Sequence, residues 1–205
     1  MNTLQRLNAN FADDTHPSAL AEIYQESVSL AVWRRQLDLS ISGYAENILN
    51  NKPNLLVRLA QSPTSIATQL EKELPLDRSR SEFIRDIELV VDMFSCLFEL
   101  QEVGLRLAVL NTAMCPKFHV DRVPCRLICT YAGAGTEWHA NDEVQRLDGA
   151  SVLPLPGIAP RELGCGDVAL LKGEMWEGNE GRGLVHRSPS ASDDRRRLVL
   201  TLDFM

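Results

Sequence analysis

The spacing of hydrophobic residues changes near Gly104, and this change divides the chain into two parts. Over residues 80–100 the apolar positions recur every three or four residues: Phe83, Ile87, Val90, Val91, Phe94, Leu97 and Phe98. This spacing predicts an amphipathic helix with a broad apolar stripe that packs on a sheet. Ser79 and Glu82, at its start, have the spacing of a capping box.

The rest of the first part also favours helices, with one exception. Residues 37–51, "LDLSISGYAENILNN", predict a helix that ends before Pro53. Residues 62–74 predict another helix, because a proline lies near its start and a second proline follows it. The exception is 28–35, "VSLAVWRR", where apolar and small residues alternate and predict a short strand.

After Gly104 short apolar runs are separated by turn-forming clusters. The runs are "LRLAVLNTA", "CRLICTY", "DVALLKGE", "GLVHRS" and "RRLVLTLDF", and the clusters include "AGAG", "LPLPG", "GCGD" and "GNEGRG". Such a pattern predicts a β-sandwich or barrel, with the segment 139–163 as a loop. We therefore expect an α+β protein forming one structural unit. Residues 1–103 would form a mainly helical N-terminal part that packs on a β-rich core at 104–205.

Composition narrows the functional classes. The 205 residues are 44% hydrophobic and 24% charged, which is typical of a folded globular protein. The net charge of −7 disfavours binding to nucleic-acid phosphates. No apolar run approaches the roughly 18–20 residues that a membrane helix needs. The N-terminus lacks an apolar signal core and the five cysteines form no CxxC pair, so we expect a cytoplasmic protein with reduced thiols.

The stretch "KFHVDRV" carries the first candidate chemistry. On a β-strand His119 and Asp121 would point to the same side, with about 6–7 Å between them along the backbone. A second histidine, His186, lies in the predicted strand "GLVHRSP". Two imidazoles and one carboxylate can bind one face of an octahedral Fe(II) and leave three positions open. The three residues therefore form a candidate metal site.

Arginines at the start of the last predicted strand could serve the same site. A 2-oxo acid bound to iron needs a partner for its distal carboxylate, and arginine offers a charged, planar, bidentate one. If the leucines of "RRRLVLTLDF" face the helices, Arg195 and Arg197 point the other way and Arg196 points toward the helices. We favour Arg197, with Arg195 second.

The segments "NTAMCPKFHVDRVPCRLICTYAGAGTEW", "GCGDVALLKGEMW" and "GLVHRSPSASDDRRRLVLTLDF" resemble the double-stranded β-helix core, of jelly-roll or cupin type, of the Fe(II)/2-oxoglutarate-dependent oxygenases. The resemblance implies hydroxylation or demethylation of an unidentified substrate. It assigns metal ligation and catalysis to His119, Asp121 and His186. It assigns contacts with 2-oxoglutarate to Arg197, Arg195, Asn111 and Tyr131.

The whole chain also resembles an uncharacterised bacterial family that is often encoded near zinc-responsive genes. This likeness keeps an alternative open, in which the same barrel holds zinc without catalysis and acts in metal homeostasis. A third possibility is a barrel that has lost its metal and serves as an interaction domain. The sequence identifies neither the substrate nor the oligomeric state.

Several other residues have two interpretations. His139, in "EWHAND", is interpreted as an exposed loop residue rather than a ligand. Cys115 and Cys125 flank the HxD segment and are interpreted as structural, although thiolates also bind metals. Trp138 and Trp176 could line a pocket or pack in the core. The sequence contains no GxSxG, P-loop, dinucleotide-binding or cysteine-rich zinc motif.

Overall fold

The computed structural model describes residues 10–147, 152–189 and 196–205. The helices are α1 (Leu39–Asn51), α2 (Ile66–Glu73) and α3 (Arg80–Phe98), with 3-10 helices at Pro17–Tyr24, Pro63–Ser65 and Asn141–Glu143. The strands are β1 (Phe11–Asp14), β2 (Leu30–Trp33), β3 (Leu56–Gln61), β4 (Val103–Leu110), β5 (Cys125–Gly133), β6 (Glu137–His139), β7 (Val144–Arg146), β8 (Val152–Pro154), β9 (Arg161–Glu162), β10 (Val168–Lys172), β11 (Val185–Arg187) and β12 (Arg197–Phe204).

The strands form one large sheet and two small ones. The large sheet has the order β1-β2-β10-β5-β12-β4-β3, the second sheet has the order β11-β6-β9, and β7 pairs only with β8. His119 extends the second sheet through an isolated bridge to His186, in which each backbone amide donates to the other residue's carbonyl at 3.0 Å. From β4 onward the chain therefore passes repeatedly between the large and second sheets.

One face of the large sheet is covered by the helices. Side chains alternate along a strand, so Leu198, Leu200 and Leu202 of β12 all lie in this helix-facing core, as the sequence predicted. Phe83 of α3 belongs to the same core, and its ring is tilted by 58° against that of Tyr131 of β5 with 4.7 Å between centroids. The apolar stripe of α3 is thus used for packing, both on the sheet and on Tyr44 of α1.

A second core fills the space between the large and second sheets. Its buried members from the large sheet include Ala108, Ile128, Leu171 and Val199. Its members from the facing side include Trp138, Leu163 and Leu184. Both faces of the large sheet are consequently buried. The helices lie on one side of it, and the second sheet, which carries His186, lies on the other.

The predicted α+β class is confirmed, and so are the three helices and the strand within 28–35. The first part of the chain also holds β1 and β3, which were not predicted. β3 is short and buries only Val57 completely, so its alternating pattern is weak. The segment 139–163 is not simply a loop, because it contains β7, β8 and β9.

The capping box predicted at the start of α3 is absent. Ser79 occupies the N-cap position, but its side chain makes no capping hydrogen bond. Its backbone, at φ −98° and ψ 3°, lies outside the extended region from which an N-cap hydroxyl reaches the helix amides. Instead, the carboxylate of Asp77 accepts from the Ser79 amide at 2.8 Å.

Within the described ranges no helix is long and apolar enough to cross a membrane.

Candidate metal centre

His119, Asp121 and His186 come together at the open edge of the second sheet. One ligand atom from each lies within 4.8 Å of the other two. Nε2 of His119 is 3.6 Å from Oδ1 of Asp121, and Nε2 of His186 is 3.5 Å from Oδ2. The HxD segment is not a regular strand as predicted, because only the bridge at His119 joins it to β11. That single bridge is sufficient to place the two imidazoles side by side, with 4.5 Å between ring centroids.

Backbone carbonyls fix the orientation of both imidazoles. Nδ1 of His119 lies 3.0 Å from the carbonyl oxygen of Lys117, and Nδ1 of His186 lies 3.1 Å from that of Leu184. A carbonyl can only accept, so Nδ1 carries the proton in each ring. The unprotonated Nε2 atoms lie 3.6 and 3.5 Å from the carboxylate oxygens of Asp121, which leaves both lone pairs available to a metal ion. Metal-binding histidines are held in this way in proteins, so the donor set fits a divalent metal ion.

The environment favours the protonation states that a metal needs. Burial lowers the pKa of His186 to about 4, so this ring is neutral at pH 7. Burial opposes ionisation of Asp121, but the contact with His119 and the charge of Arg126 overcome it and lower its pKa to about 2. The contact with Asp121 raises the pKa of His119. At neutral pH the site therefore contains a carboxylate and at least one neutral imidazole.

Arg126 of β5 holds the carboxylate in place, and sequence reasoning did not identify this residue. Its Nη1 donates to Oδ2 of Asp121 at 2.7 Å, while its Nε and Nη2 donate to Asp203 of β12 at 2.8 and 3.1 Å. A charged residue at an inward position of the apolar run "CRLICTY" was the available signal. The backbone adds a further restraint, since the amide of Glu174 donates to the carbonyl of Asp121 at 2.9 Å.

Arg197 is a buried cation on the side of the large sheet that faces the candidate metal centre. Its residue is 5% exposed, and its Nη1 and Nη2 donate to the hydroxyls of Thr136 and Ser188, both at 3.1 Å. Across the described parts of the chain no carboxylate forms an ion pair with it. Burial lowers its pKa to about 10, so it stays charged at pH 7. A buried charge without a counter-ion is costly and favours binding of an anion.

The other predicted site residues are Arg195, Asn111 and Tyr131, and the structure places the last two away from this centre. Arg195 lies outside the described residues. Asn111 is exposed, and its amide donates to the carbonyl of Pro53 at 2.7 Å. Tyr131 faces the helices and donates its hydroxyl to Asp86 at 2.7 Å, so it lies on the opposite side of β5 from Arg126.

The two cysteines that flank the HxD segment are not part of the cluster of ligand atoms. Cys125 is buried in the helix-facing core, and burial raises the pKa of its thiol. Cys115 is exposed. Trp176 packs against Tyr24 and Phe98 in the helix-facing core, so its role is packing.

The prediction that His139 is an exposed loop residue is wrong. It ends β6, where it pairs with Val185 of β11, and its exposure is 0%. Its ring lies 4.7 Å from that of Phe118, and neither ring nitrogen has a hydrogen-bond partner among the described residues. The neighbouring Trp138 is also buried and stacks edge-on against Phe11 at 5.1 Å. Trp138 packs in the core between the sheets, and His139 is covered by Phe118 and lies 3.7 Å from Glu143.

Comparison with solved structures shows an oxygenase-like fold. A protein of Shewanella oneidensis described as a candidate oxygenase has a TM-score of 0.50 and 13% identity, over 97% of this chain and 90% of that one. A rice dioxygenase for auxin oxidation has a TM-score of 0.48 and 9% identity, over 86% and 73%. A Pseudomonas putida prolyl-4-hydroxylase has a TM-score of 0.45 and 10% identity, over 91% and 96%. The last two scores are below the value at which a shared fold is inferred.

The sequence itself belongs to a family without an assigned activity. Residues 14–203 match the family described as "Protein of unknown function (DUF1826)", so the chain is a member of that family. No curated protein matches the sequence.

Proposed function

We propose that this protein is an Fe(II)/2-oxoglutarate-dependent oxygenase that hydroxylates or demethylates an unidentified substrate in the cytoplasm. The proposal joins the oxygenase-like fold to the cluster of His119, Asp121 and His186. It assigns the metal to these three side chains and the distal carboxylate of 2-oxoglutarate to Arg197.

The strand order supports a double-stranded β-helix within this fold. From β4 to β12 the chain visits the large sheet, the bridge at His119, the large sheet at β5, and then β6 and β9 of the second sheet. It returns to the large sheet at β10, crosses to β11 and ends in the large sheet at β12. Eight strand positions wound between two facing sheets are the arrangement of a jelly roll. The seven-stranded sheet is larger because β1, β2 and β3 extend its edges.

The three side chains suit iron chemistry. The Nε2 atoms of His119 and His186 and a carboxylate oxygen of Asp121 would occupy one face of the metal, and the opposite face would stay open to co-substrate and O₂. When bound, Fe(II) would supply the capacity to activate O₂ at the expense of the 2-oxo acid. The residues hold the ligand atoms in place, and Arg126 keeps the carboxylate oriented by binding one of its oxygens.

The observation that carries the proposal is the buried guanidinium of Arg197, with which no described carboxylate forms an ion pair. Its two hydroxyl partners orient it without cancelling its charge. A distal carboxylate would supply that neutralisation through charge-assisted hydrogen bonds. A protein that only stores or senses zinc has no use for such a cation, so Arg197 favours the oxygenase over the zinc alternative.

The test combines metal analysis with O₂ consumption. Protein loaded with Fe(II) should consume O₂ in a 2-oxoglutarate-dependent reaction. Arg197→Met should raise the 2-oxoglutarate concentration needed for half-maximal uptake at least about tenfold, because a charged hydrogen-bonding partner is lost. Arg85→Gln is the matched control, since Arg85 is exposed on α3 and pairs with Glu82.

Two results would contradict the proposal. Tight stoichiometric zinc without 2-oxoglutarate-dependent O₂ uptake would favour the non-catalytic alternative and the predicted link to zinc-responsive genes. Unchanged metal content in a variant with both His119→Ala and His186→Ala would favour an interaction domain without a metal.

A further inference from the structure

We propose that Arg58 and Arg106 form a second anion site, which binds a carboxylate or phosphate group of the substrate. The existence of this site is independent of the enzymatic activity. Its assignment to the substrate rests on the function proposed above.

Arg106 of β4 has no partner for its charge. Its side chain is half-buried, its Nε is fully buried, and within the described residues its guanidinium makes neither an ion pair nor a hydrogen bond. Burial and the charges of Arg58 and Arg126 lower its pKa. An arginine kept in this state is destabilising unless a ligand supplies negative charge.

Arg58 of β3 lies directly opposite Arg106, and no described carboxylate pairs with it. Like charges at directly opposed positions of neighbouring strands repel each other. Thr201 of β12 lies opposite Arg106 on the other side and adds a hydroxyl to the row. Two guanidinium groups and a hydroxyl in one row across three strands can donate together to a single oxyanion.

This row lies on the side of the large sheet that faces the candidate metal centre. Val57 and Leu107, the neighbours of Arg58 and Arg106, are buried in the helix-facing core, so the two arginines point the other way. Thr201 is paired next with Ile128, which belongs to the core between the sheets. An anion on this row would therefore lie on the metal side of the sheet.

The row is distinct from the position assigned to 2-oxoglutarate. Arg197 and Thr201 share β12 and are four residues apart, which corresponds to about 13 Å along a strand. The carboxylates of Asp121 and Asp203 do not neutralise the row, because both already pair with Arg126. The charge of Arg106 reaches Arg197 and lowers its pKa, so the two positions are neighbours on one face. We assign the co-substrate to Arg197 and an anionic substrate to the row.

The test is calorimetric titration of inorganic phosphate and, separately, of acetate into the metal-free full chain. Arg197→Met serves as the parent, so that the buried Arg197 does not contribute to anion binding. Adding Arg58→Gln and Arg106→Gln should weaken binding at least about tenfold, because both charged donors are lost. Adding Arg85→Gln instead should leave the affinity unchanged. The anion that the parent binds more tightly identifies the chemical group.

Thermal unfolding is the second measurement, and it shows how each substitution and each anion changes the stability of the folded protein. In buffer without phosphate or acetate, Arg106→Gln should raise Tm, because it removes the repulsion from Arg58. Phosphate should raise the Tm of the parent but not that of the double arginine variant. The proposal is overturned by a parent that binds neither anion, by equal affinities in parent and variant, or by a lower Tm for Arg106→Gln. None of these results depends on iron or 2-oxoglutarate turnover.

Discussion

Arg126 donates to Oδ2 of Asp121 at 2.7 Å and to the carboxylate of Asp203 at 2.8 and 3.1 Å. This contact ties the HxD segment to the two central strands of the large sheet, β5 and β12. The HxD segment has only one bridge to the second sheet, so the side-chain contact is an important restraint on Asp121. Partners that hold a ligand in this way also tune its affinity for metal.

Arg126→Gln should therefore weaken metal binding by about 10–100-fold, the range seen when partners of metal ligands are removed. Mn²⁺ is a suitable probe, because it accepts the same ligands without oxidation in air. The dissociation constant can be measured by calorimetry. Arg85→Gln is the control and should bind Mn²⁺ as the wild type does. Wild-type affinity in Arg126→Gln would show that the contact with Asp121 does not support the metal.

Gly173→Ala should disturb the same segment from its backbone side. A Cβ at Gly173 would lie 2.0 Å from the carbonyl oxygen of Val123 and 2.9 Å from that of Asp121. Relief of this clash must separate the two backbone segments, at a cost of about 1–3 kcal/mol in the free energy of unfolding. Denaturant unfolding measures the cost, and the Mn²⁺ affinity should fall with it.

Gly43→Ala is the matched control for that substitution. Gly43 lies within α1, and a Cβ there meets nothing within 4 Å. Alanine is the better helix former, so this variant should gain about 0.5–1 kcal/mol. A similar gain in Gly173→Ala would mean that the close approach to Val123 is not a constraint.

Tyr131→Phe should lower stability without affecting the co-substrate. The hydroxyl of Tyr131 donates to Asp86, which also accepts from Arg35 at 2.5 and 2.8 Å. Loss of one such hydrogen bond should cost about 0.5–1.5 kcal/mol in thermal or denaturant unfolding. The affinity for 2-oxoglutarate should stay at the wild-type value. A selective loss of that affinity would restore the co-substrate contact that the sequence predicted for Tyr131.

Alkylation by iodoacetamide should distinguish the two buried cysteines, Cys125 and Cys129, from the three exposed ones. Burial raises the pKa of Cys129 to about 12 and also raises that of Cys125. A raised pKa leaves these groups as thiols, which are poor nucleophiles, across pH 7–9. Mass spectrometry of the native protein should find the exposed Cys96, Cys115 and Cys165 modified. Cys125 and Cys129 should be modified only after unfolding. Rapid modification of Cys125 at pH 8 would reopen its role as a thiolate ligand.

The grouping of His119, Asp121 and His186 as one candidate site was predictable, because each residue stands in a recognisable local sequence pattern. A histidine two residues before an aspartate, and a second histidine on a strand bounded by glycines and a proline, are visible in the sequence. The faces of β12 were also predictable from alternation, and Leu198, Leu200 and Leu202 do pack on the helices.

The contacts that support the site were not predictable in the same way. Arg126 and Asp203 are 77 positions apart, and their contact depends on the pairing of β5 with β12. The repulsion between Arg58 and Arg106 depends on the pairing of β3 with β4. The sequence did not predict β3, because its alternating pattern is weak. His139 is buried by packing against Phe118, a residue 21 positions away, which no local pattern reveals. The side-chain contacts around the site therefore depend on how distant strands pair, and the local sequence pattern does not specify that pairing.

The most direct test is an anaerobic titration of the iron-loaded protein with 2-oxoglutarate, followed by visible absorption. The account predicts a weak charge-transfer band that grows to a stoichiometric end point and is lost in His186→Ala. Arg197→Met should shift the midpoint to at least about tenfold higher 2-oxoglutarate. A protein that demonstrably contains iron and develops no such band at saturating 2-oxoglutarate would contradict the proposed function.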